Sequence, residues 1–393
     1  MGNYRITIGG FMRILLIALE QESSYAIQKA FEECGQEVDI FFFQKAVDLH
    51  RFVVLDLENR TALATVLQKQ DFDLVFSIGY LHEASVFCHM LGCLYVSWIL
   101  NLPNFDLFRN SIFYSENYFF AGESALVDWL KKSGAQNVFY LPAAAAFCEK
   151  IESSKIYEIS FIGKIPVWNR GEIFSEETKL SRSCLGYLDG FVHSQRVLYG
   201  WDLFSDPLPL AVLEEIMHYY PIEAPADIYV PLSFLCSQYY LMPQVIQQER
   251  LILFQGLKNL LTVFTGQREE ENISYVVQPY PKGLEERKRI IASSKINLNI
   301  TNRYFINGIP SHAFEIMGYG GFLITNYQKE FFDFFEVGKE WIYFENANDL
   351  LLKTVFYCNH PEVREEISER ALEKVKKKHL YVHRAERILE LLD

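Results

Sequence analysis

The sequence predicts a two-domain α/β protein, each domain a doubly wound parallel sheet, with a helical insertion in the second. Three observations carry this. Apolar runs alternate with helical faces over residues 12–150, a second alternation starts near Tyr157, and a proline-punctuated helical stretch, 175–260, interrupts it. Alternation of this kind builds parallel sheets covered by helices on both faces.

In the first domain, 13–18 (RILLIA) is a continuous apolar run, as a strand covered on both faces requires. Ala26, Ile27, Ala30 and Phe31 mark a helical face that Gly35 ends. Strands follow at 38–43, 73–78, 94–99, 116–120 and 137–141, with helices at 59–69, 82–91 and 123–133. The stretch 84–100 has 17 residues without a formal charge, near the lower limit for a membrane span. His89, Gly92 and Cys93 divide it, so it reads as a helix, a turn and a buried strand, and no membrane span is expected. MRILLIAL reads as a natural beginning at Met12, with 1–11 an extension lacking the marks of a signal peptide.

The second domain, 156–360, opens on YEISFIG. After the insertion its strands fall at 260–264, 274–277, 295–300, 321–325 and 340–344, with helices at 283–292, 311–318, 328–335 and 347–358. Two closing helices in 361–393, the first with an apolar stripe through Val363, Ile367, Ala371 and Val375, are expected to pack back on the first domain. His360, His379 and His383 in this tail read as surface-directed.

Of the 393 residues, 37 are Lys or Arg and 50 are Asp or Glu, a formal charge of −13. This excess argues against a general nucleic-acid binder, which needs cationic surface to displace phosphate counterions. The 7 cysteines are odd in number and form no CxxC pair, so they read as unpaired thiols of a reducing cytoplasm. No His, Cys or carboxylate constellation at metal spacing appears, and GxSxG and Walker patterns are absent. Neither a metal nor a cofactor is expected.

Ligands of doubly wound sheets bind at the carboxyl ends of the strands. The richest stretch is KINLNITNRYFINGIPSHAFEIMGYGGFLITN, 295–326. A strand ends at Ile300, a loop carries Arg303, Asn307 and Gly308, a helix starts near Ser311, and glycines including Gly320 return the chain to a strand. Amides at a helix start attract phosphate oxygens, and Gly308 allows close backbone approach. Glu315 could accept ribose hydroxyls. The bland alternative is an ordinary turn with Ser311 as N-cap and Glu315 as a dipole-favoured acid. Gly163 and Lys164 end the first strand of this domain, and Arg170 follows, so all three face the same side. On the first domain, Glu20, Glu22 and Ser23 follow the first strand, His82 follows 73–78, and Asn101 follows the Trp98 strand. His193 and Gln195 lie on the insertion and read as structural.

The segment from GIPSHAFEIMGYGGFLITN to the closing helices, together with SKINLNIT, DFDLVFSIGY, YVSWILNLP, VFYLPAAA, YEISFIG and GYLDGFVHSQ, resembles the CgeB-like, spore-maturation type of GT-B glycosyltransferase over nearly the whole chain from Met12. The resemblance implies a nucleotide-sugar donor on the second domain and a hydroxyl acceptor, a protein side chain, a glycan or a small molecule, facing the first. It implies transfer of a hexosyl type of group with retention and without metal, and a ribose contact at Glu315. This chain departs from the family pattern at His312, where an Arg is usual, at Asn101, where a carboxylate is usual, and at Ala143 to Ala146, where polar residues are usual. Arg is a permanent bidentate phosphate donor and His is not. Asn101 cannot act as a base. These departures open a second expectation, a non-catalytic protein of the same fold that binds sugar nucleotides or partners an active enzyme.

Overall fold

The structure, a computed structural model, describes residues 10–18, 21–42, 46–49, 52–69, 71–165, 173–266 and 274–392. The expected sites Glu20 and Arg170 lie outside the described residues, as do residues 1–9 of the suggested extension.

The first domain holds a six-stranded parallel sheet in the order β2-β1-β5-β6-β7-β8. Its strands are β1 (Arg13–Ala18), β2 (Glu37–Phe42), β5 (Leu74–Ile78), β6 (Leu94–Ile99), β7 (Asn117–Ala121) and β8 (Asn137–Tyr140). An antiparallel hairpin of β3 (Ala46–Leu49) and β4 (Phe52–Leu55) stands apart from it and was not expected. The reason the sheet is parallel is visible in β1. Residues 14–18 are all buried, as helices on both faces demand. The edge strand β2 is only partly covered. Helices α1 (Gln21–Glu33), α2 (Leu57–Lys69), α3 (His82–Leu91) and α4 (Ser124–Ser133) make the crossovers. The uncharged stretch 84–100 is α3, a turn and β6, and Gly92 takes the left-handed conformation (φ 68°) that ends the helix.

The second domain repeats the plan in the order β11-β10-β9-β12-β13-β14. These strands are β9 (Tyr157–Ile162), β10 (Leu261–Thr265), β11 (Val276–Pro279), β12 (Ser294–Asn299), β13 (Leu323–Asn326) and β14 (Ile342–Phe344). The chain order reverses between β9 and β12, and that is where a crevice opens. The insertion contains α5 (Arg182–Val197), α6 (Leu210–Tyr219), α7 (Leu232–Cys236), a π-helical turn at Ser237–Leu241 and α8 (Met242–Leu257). Helix α8 also serves as the crossover into β10, since Leu253, Phe254 and Leu257 pack into the core of the second sheet. Helices α9 (Leu284–Ala292), α10 (Ser311–Gly318), α11 (Phe331–Phe334), α12 (Ala347–Asn359), α13 (Pro361–Lys378) and α14 (Tyr381–Leu392) complete the chain.

Several sets of contacts fasten the domains, three of them through the end of the chain, the insertion and the loop before α10. The end of the chain returns to the first domain, where the Arg384 guanidinium donates to the carbonyls of Pro142 and Ala143, and Tyr381 meets Trp98 edge-on. Part of the insertion crosses over too. Phe234 and Tyr229 pack on Trp129, and Arg109 pairs with Asp227 at 2.9 Å. The third contact is the loop before α10, described below. His379, expected at the surface, is buried among Phe314, Phe334 and Phe335, and burial followed by the Arg384 charge pushes its pKa down to about 3.

Candidate active site

A cavity of about 380 Å³ lies between the carboxyl ends of the two sheets. The second domain supplies Gly163 after β9, Asn299 to Asn302 after β12, and Ser311, His312 and Glu315 on α10. The first supplies Glu22, Ser23, Ile78, Leu100 and Asn101. The expected residues Gly163, Asn101, His312 and Glu315 are therefore brought together, as are Glu22 and Ser23.

Helix α10 begins at Ser311 with Pro310 at the cap position and no side-chain cap, so Ser311 does not play the N-cap part considered from the sequence. The first amides of α10 are thus not covered by a capping side chain, and they face the cavity edge where Ser311 and His312 stand. Glu315 lies on the second turn. Its Oε2 accepts a hydrogen bond from His312 Nδ1 at 2.8 Å, and its Oε1 accepts from Arg287 Nε at 2.9 Å. A carboxylate can only accept, so Nδ1 of His312 carries the proton and Nε2 is left for a ligand. Burial would raise the Glu315 pKa. The His312 hydrogen bond and the Arg287 charge outweigh it and hold the carboxyl below its ordinary range.

Arg287 is the hinge of this group. Its other arm reaches Glu22 of the first domain at 2.8 Å, and Glu22 also accepts from the Leu284 amide at 2.7 Å. The two carboxylates raise the Arg287 pKa against the opposing effect of burial, so it is a fixed positive charge. Sequence reading missed it, because LEERKRIIA looks like the charged outer face of an ordinary helix. Arg250 was missed as well. It lines the cavity from α8, almost fully buried, and donates to the carbonyls of Lys164 and Ile300, with its plane over the Phe161 ring. Its Nε has no partner among the described residues. Burial pulls its pKa down to about 10, with Glu249 acting the other way, and it stays cationic at neutral pH. Nothing in the local sequence distinguishes Arg250 from a surface arginine. Only the β9–β12 reversal brings it to the crevice.

Several expected donor contacts lie elsewhere. Arg303 is buried in an ion pair with Glu249 at 2.9 Å, stacked on Tyr199, and donates to backbone carbonyls of the insertion. It is committed to joining the insertion to β12 and does not line the cavity. The Lys164 side chain is exposed, and it is its carbonyl that meets Arg250. Gly320 turns the chain from α10 to β13 at φ 70°, beside Lys150. Asn307 and Gly308 do bind a carboxylate, but it is the protein's own. Oε2 of Glu123 accepts from the amides of Ile306, Asn307 and Gly308 at 2.9, 2.8 and 3.0 Å. A Cβ at Gly308 would come within 2.6 Å of that of Glu123, so the glycine is required by domain contact. His82 is likewise withdrawn. It is buried outside the cavity lining with Nδ1 2.8 Å from Ser111 Oγ, and burial and Arg109 lower its pKa to about 4. Gln195 bonds the backbone at Trp201 and Leu203, and His193 meets Arg196, both within the insertion as expected.

Among the described residues, no group of three or more His, Cys, Asp or Glu is placed to hold a metal ion. No helix among them is long and apolar enough to cross a membrane.

Residues 258–390 match the glycosyl transferase-like family model. No curated protein matches the chain in sequence. Among solved structures, the chain is similar to HepE of Anabaena in complex with UDP and glucose, at 11% identity over 97% of this chain and 99% of that one, with a TM-score of 0.51. It is similar to sucrose-phosphate synthase from Thermosynechococcus elongatus, at 9% identity, 97% and 98% coverage and a TM-score of 0.54. It is similar to phage T4 BGT in complex with its UDP-glucose substrate, at 10% identity, 97% and 100% coverage and a TM-score of 0.52. The two facing Rossmann-like sheets are the GT-B fold.

Proposed function

We propose that this chain is a nucleotide-sugar-dependent glycosyltransferase, of the CgeB-like kind, moving a hexosyl group from a nucleoside-diphosphate sugar to a hydroxyl acceptor. One observation carries the reading. A crevice between two Rossmann-like sheets gathers a fixed carboxylate, Glu315, and the cations Arg250 and Arg287, beside the open first amides of α10. The match of the second domain to the glycosyl transferase-like family supports it, as does the likeness of the fold to structures that hold UDP or UDP-glucose.

The roles follow from the chemistry. Glu315 accepts hydrogen bonds from the ribose hydroxyls. The amides at Ser311 and His312 and the free Nε of Arg250 receive the diphosphate, whose charge grows as the bond to the anomeric carbon breaks. Preorganised donors in a water-poor site act most strongly on such developing charge. Transfer with retention and without metal is part of the proposal, the arginines supplying the positive charge. All seven cysteines are unpaired, which supports a cytoplasmic setting.

The test is a transfer assay with UDP-glucose, UDP-galactose, UDP-N-acetylglucosamine and GDP-mannose, paired with calorimetry. At least one donor should bind and turn over, and activity should persist in EDTA. Loss in EDTA that manganese restores would refute the metal-independent mechanism. Arg250→Met should weaken donor binding by about 2 kcal/mol, the scale of a charged hydrogen bond. Arg250→Lys should recover part of it. An unchanged dissociation constant would take Arg250 out of the donor site.

The second reading, a sugar-nucleotide binder without turnover, is favoured by a specific observation. Both carboxylates among the described cavity residues, Glu22 and Glu315, are paired with Arg287, and Asn101 cannot serve as a base. Donor binding without hydrolysis or transfer would select this reading.

A further inference from the structure

The second-domain wall of the cavity is mixed, with Asn299, Asn302, Glu315 and Arg287 beside Phe161 and Ile300. The opposite wall is apolar. Ile78 at the end of β5, Leu100 after β6, Ala144, Ala146 and Phe147 after β8, and Tyr381 from α14 line it. Its polar side chains among the described residues are Ser23, Asn101, Glu22 and Tyr381, and Glu22 is already committed to Arg287 and the Leu284 amide. The alanine run is held in place by the end of the chain. The Ala145 amide donates to the His379 carbonyl at 2.8 Å and the Tyr381 amide to the Ala145 carbonyl at 3.1 Å. The apolar wall is therefore a built surface with a fixed backbone.

We propose, resting on the transferase reading, that the acceptor is a small alcohol or phenol carried on an apolar body, an aryl or short alkyl alcohol. A glycan would press several hydroxyls against this wall and leave them without partners, which costs binding. An apolar body gains by leaving water there. Only the reacting hydroxyl needs polar company, and Ser23 and Asn101 stand at the border between the walls. The few side chains of this wall can cover one aryl ring or a short alkyl chain. In the transfer the acceptor oxygen bonds to the anomeric carbon and the bond from that carbon to the diphosphate breaks. The electron pair leaves with the nucleoside diphosphate, and a departing phosphate oxygen takes the acceptor's proton.

The experiment uses the full chain with the donor that calorimetry selects from the four above. 2-Phenylethanol, 4-methylumbelliferone and 1-hexanol are compared with maltose and a serine-containing peptide, and the glycoside is read by mass spectrometry. The expected result is a kcat/KM at least tenfold higher for the apolar alcohols. Ala146→Asp should raise the KM for 2-phenylethanol at least tenfold, and its Kd for the donor verifies that the variant is folded. Ala146→Leu, which fills the wall without charge, should raise KM more for 4-methylumbelliferone than for 1-hexanol. Preference for maltose or the peptide overturns the proposal, as does an acceptor KM indifferent to both variants. Donor binding with neither class glycosylated overturns it too. Failure of all four donors to bind defeats the transferase reading itself, and the two failures are thereby distinguished.

Discussion

Two carboxylates, the half-buried Glu315 and the buried Glu123, sit on either side of the loop that opens α10, and they are solved in opposite ways. Glu315 is met by the Arg287 cation and by the Nδ1–H of His312, and stays ionised. Glu123 is met by three backbone amides and by no cation, with Glu330 close enough to oppose its charge. Burial, its largest influence, and Glu330 raise its pKa to about 7. The contrast separates two tasks. The carboxylate proposed to recognise a ligand keeps a constant charge, whereas the one that joins two domains can exchange its proton. Glu330 returns the contact from the other side. Its oxygens accept from the Ser124 amide at 2.6 Å and from the Tyr140 hydroxyl at 2.8 Å, both in the first domain. The pair is a reciprocal clasp between domains.

The strongest way to break the contrast is to remove the cation from the first carboxylate. Arg287→Met leaves Glu315 and Glu22 without their shared partner, and uncompensated charge in a half-buried site is costly. The expected loss is about 3 kcal/mol of unfolding free energy in urea, and adding Glu315→Gln should return part of it. A loss below about 0.5 kcal/mol would mean that solvent already screens the network. Next in size, Glu315→Ala should weaken donor binding by about 1–3 kcal/mol, the range for hydrogen bonds to a charged group. Glu123→Gln should leave that affinity within twofold. Equal effects from the two variants in calorimetry would erase the assigned division of labour.

Much of the fold was legible because it depends on periodicity. RILLIA, DLVFSI and KINLNI are buried on both faces, and such strands announce themselves. The hairpin at 46–55 was not, since AVDL and FVVL are short, and four-residue runs do not discriminate a strand from an apolar loop. At the candidate site, Glu315 and Gly163 were legible from strand and helix ends, and His312 from the family resemblance. Arg287 and Arg250 were not, because their meaning comes from partners far away in sequence. Asn307 and Gly308 failed in an instructive manner. The loop geometry for holding an anion was read correctly, but the anion is Glu123, and only tertiary structure brings it there.

The smallest effect expected is the pH dependence of the clasp, and its sign is fixed. In the unfolded chain Glu123 should titrate near its ordinary value of about 4.3. In the folded protein its pKa is raised to about 7. The folded state thus holds the proton more tightly, so the contribution of this group is fully present below pH about 4.3 and is lost as pH rises to about 7. Glu315 runs the other way, because its lowered pKa gives a contribution that is complete above the ordinary glutamate range and lost only in acid. Glu123 shares the window between about pH 5 and 7 with His82 and His379, whose pKa values are lowered to about 4 and 3 and which make stability rise with pH up to their ordinary value of about 6.5. The Glu123 contribution is therefore read as a difference: the melting temperature of the parent chain relative to Glu123→Gln, neutral at every pH, should fall as pH rises through this window. Glutamine still offers one oxygen to the amides of residues 306–308, so the variant tests the charge and keeps most of the contact. A difference between the two proteins that stays constant with pH would take the proton away from Glu123 and leave the clasp a fixed joint.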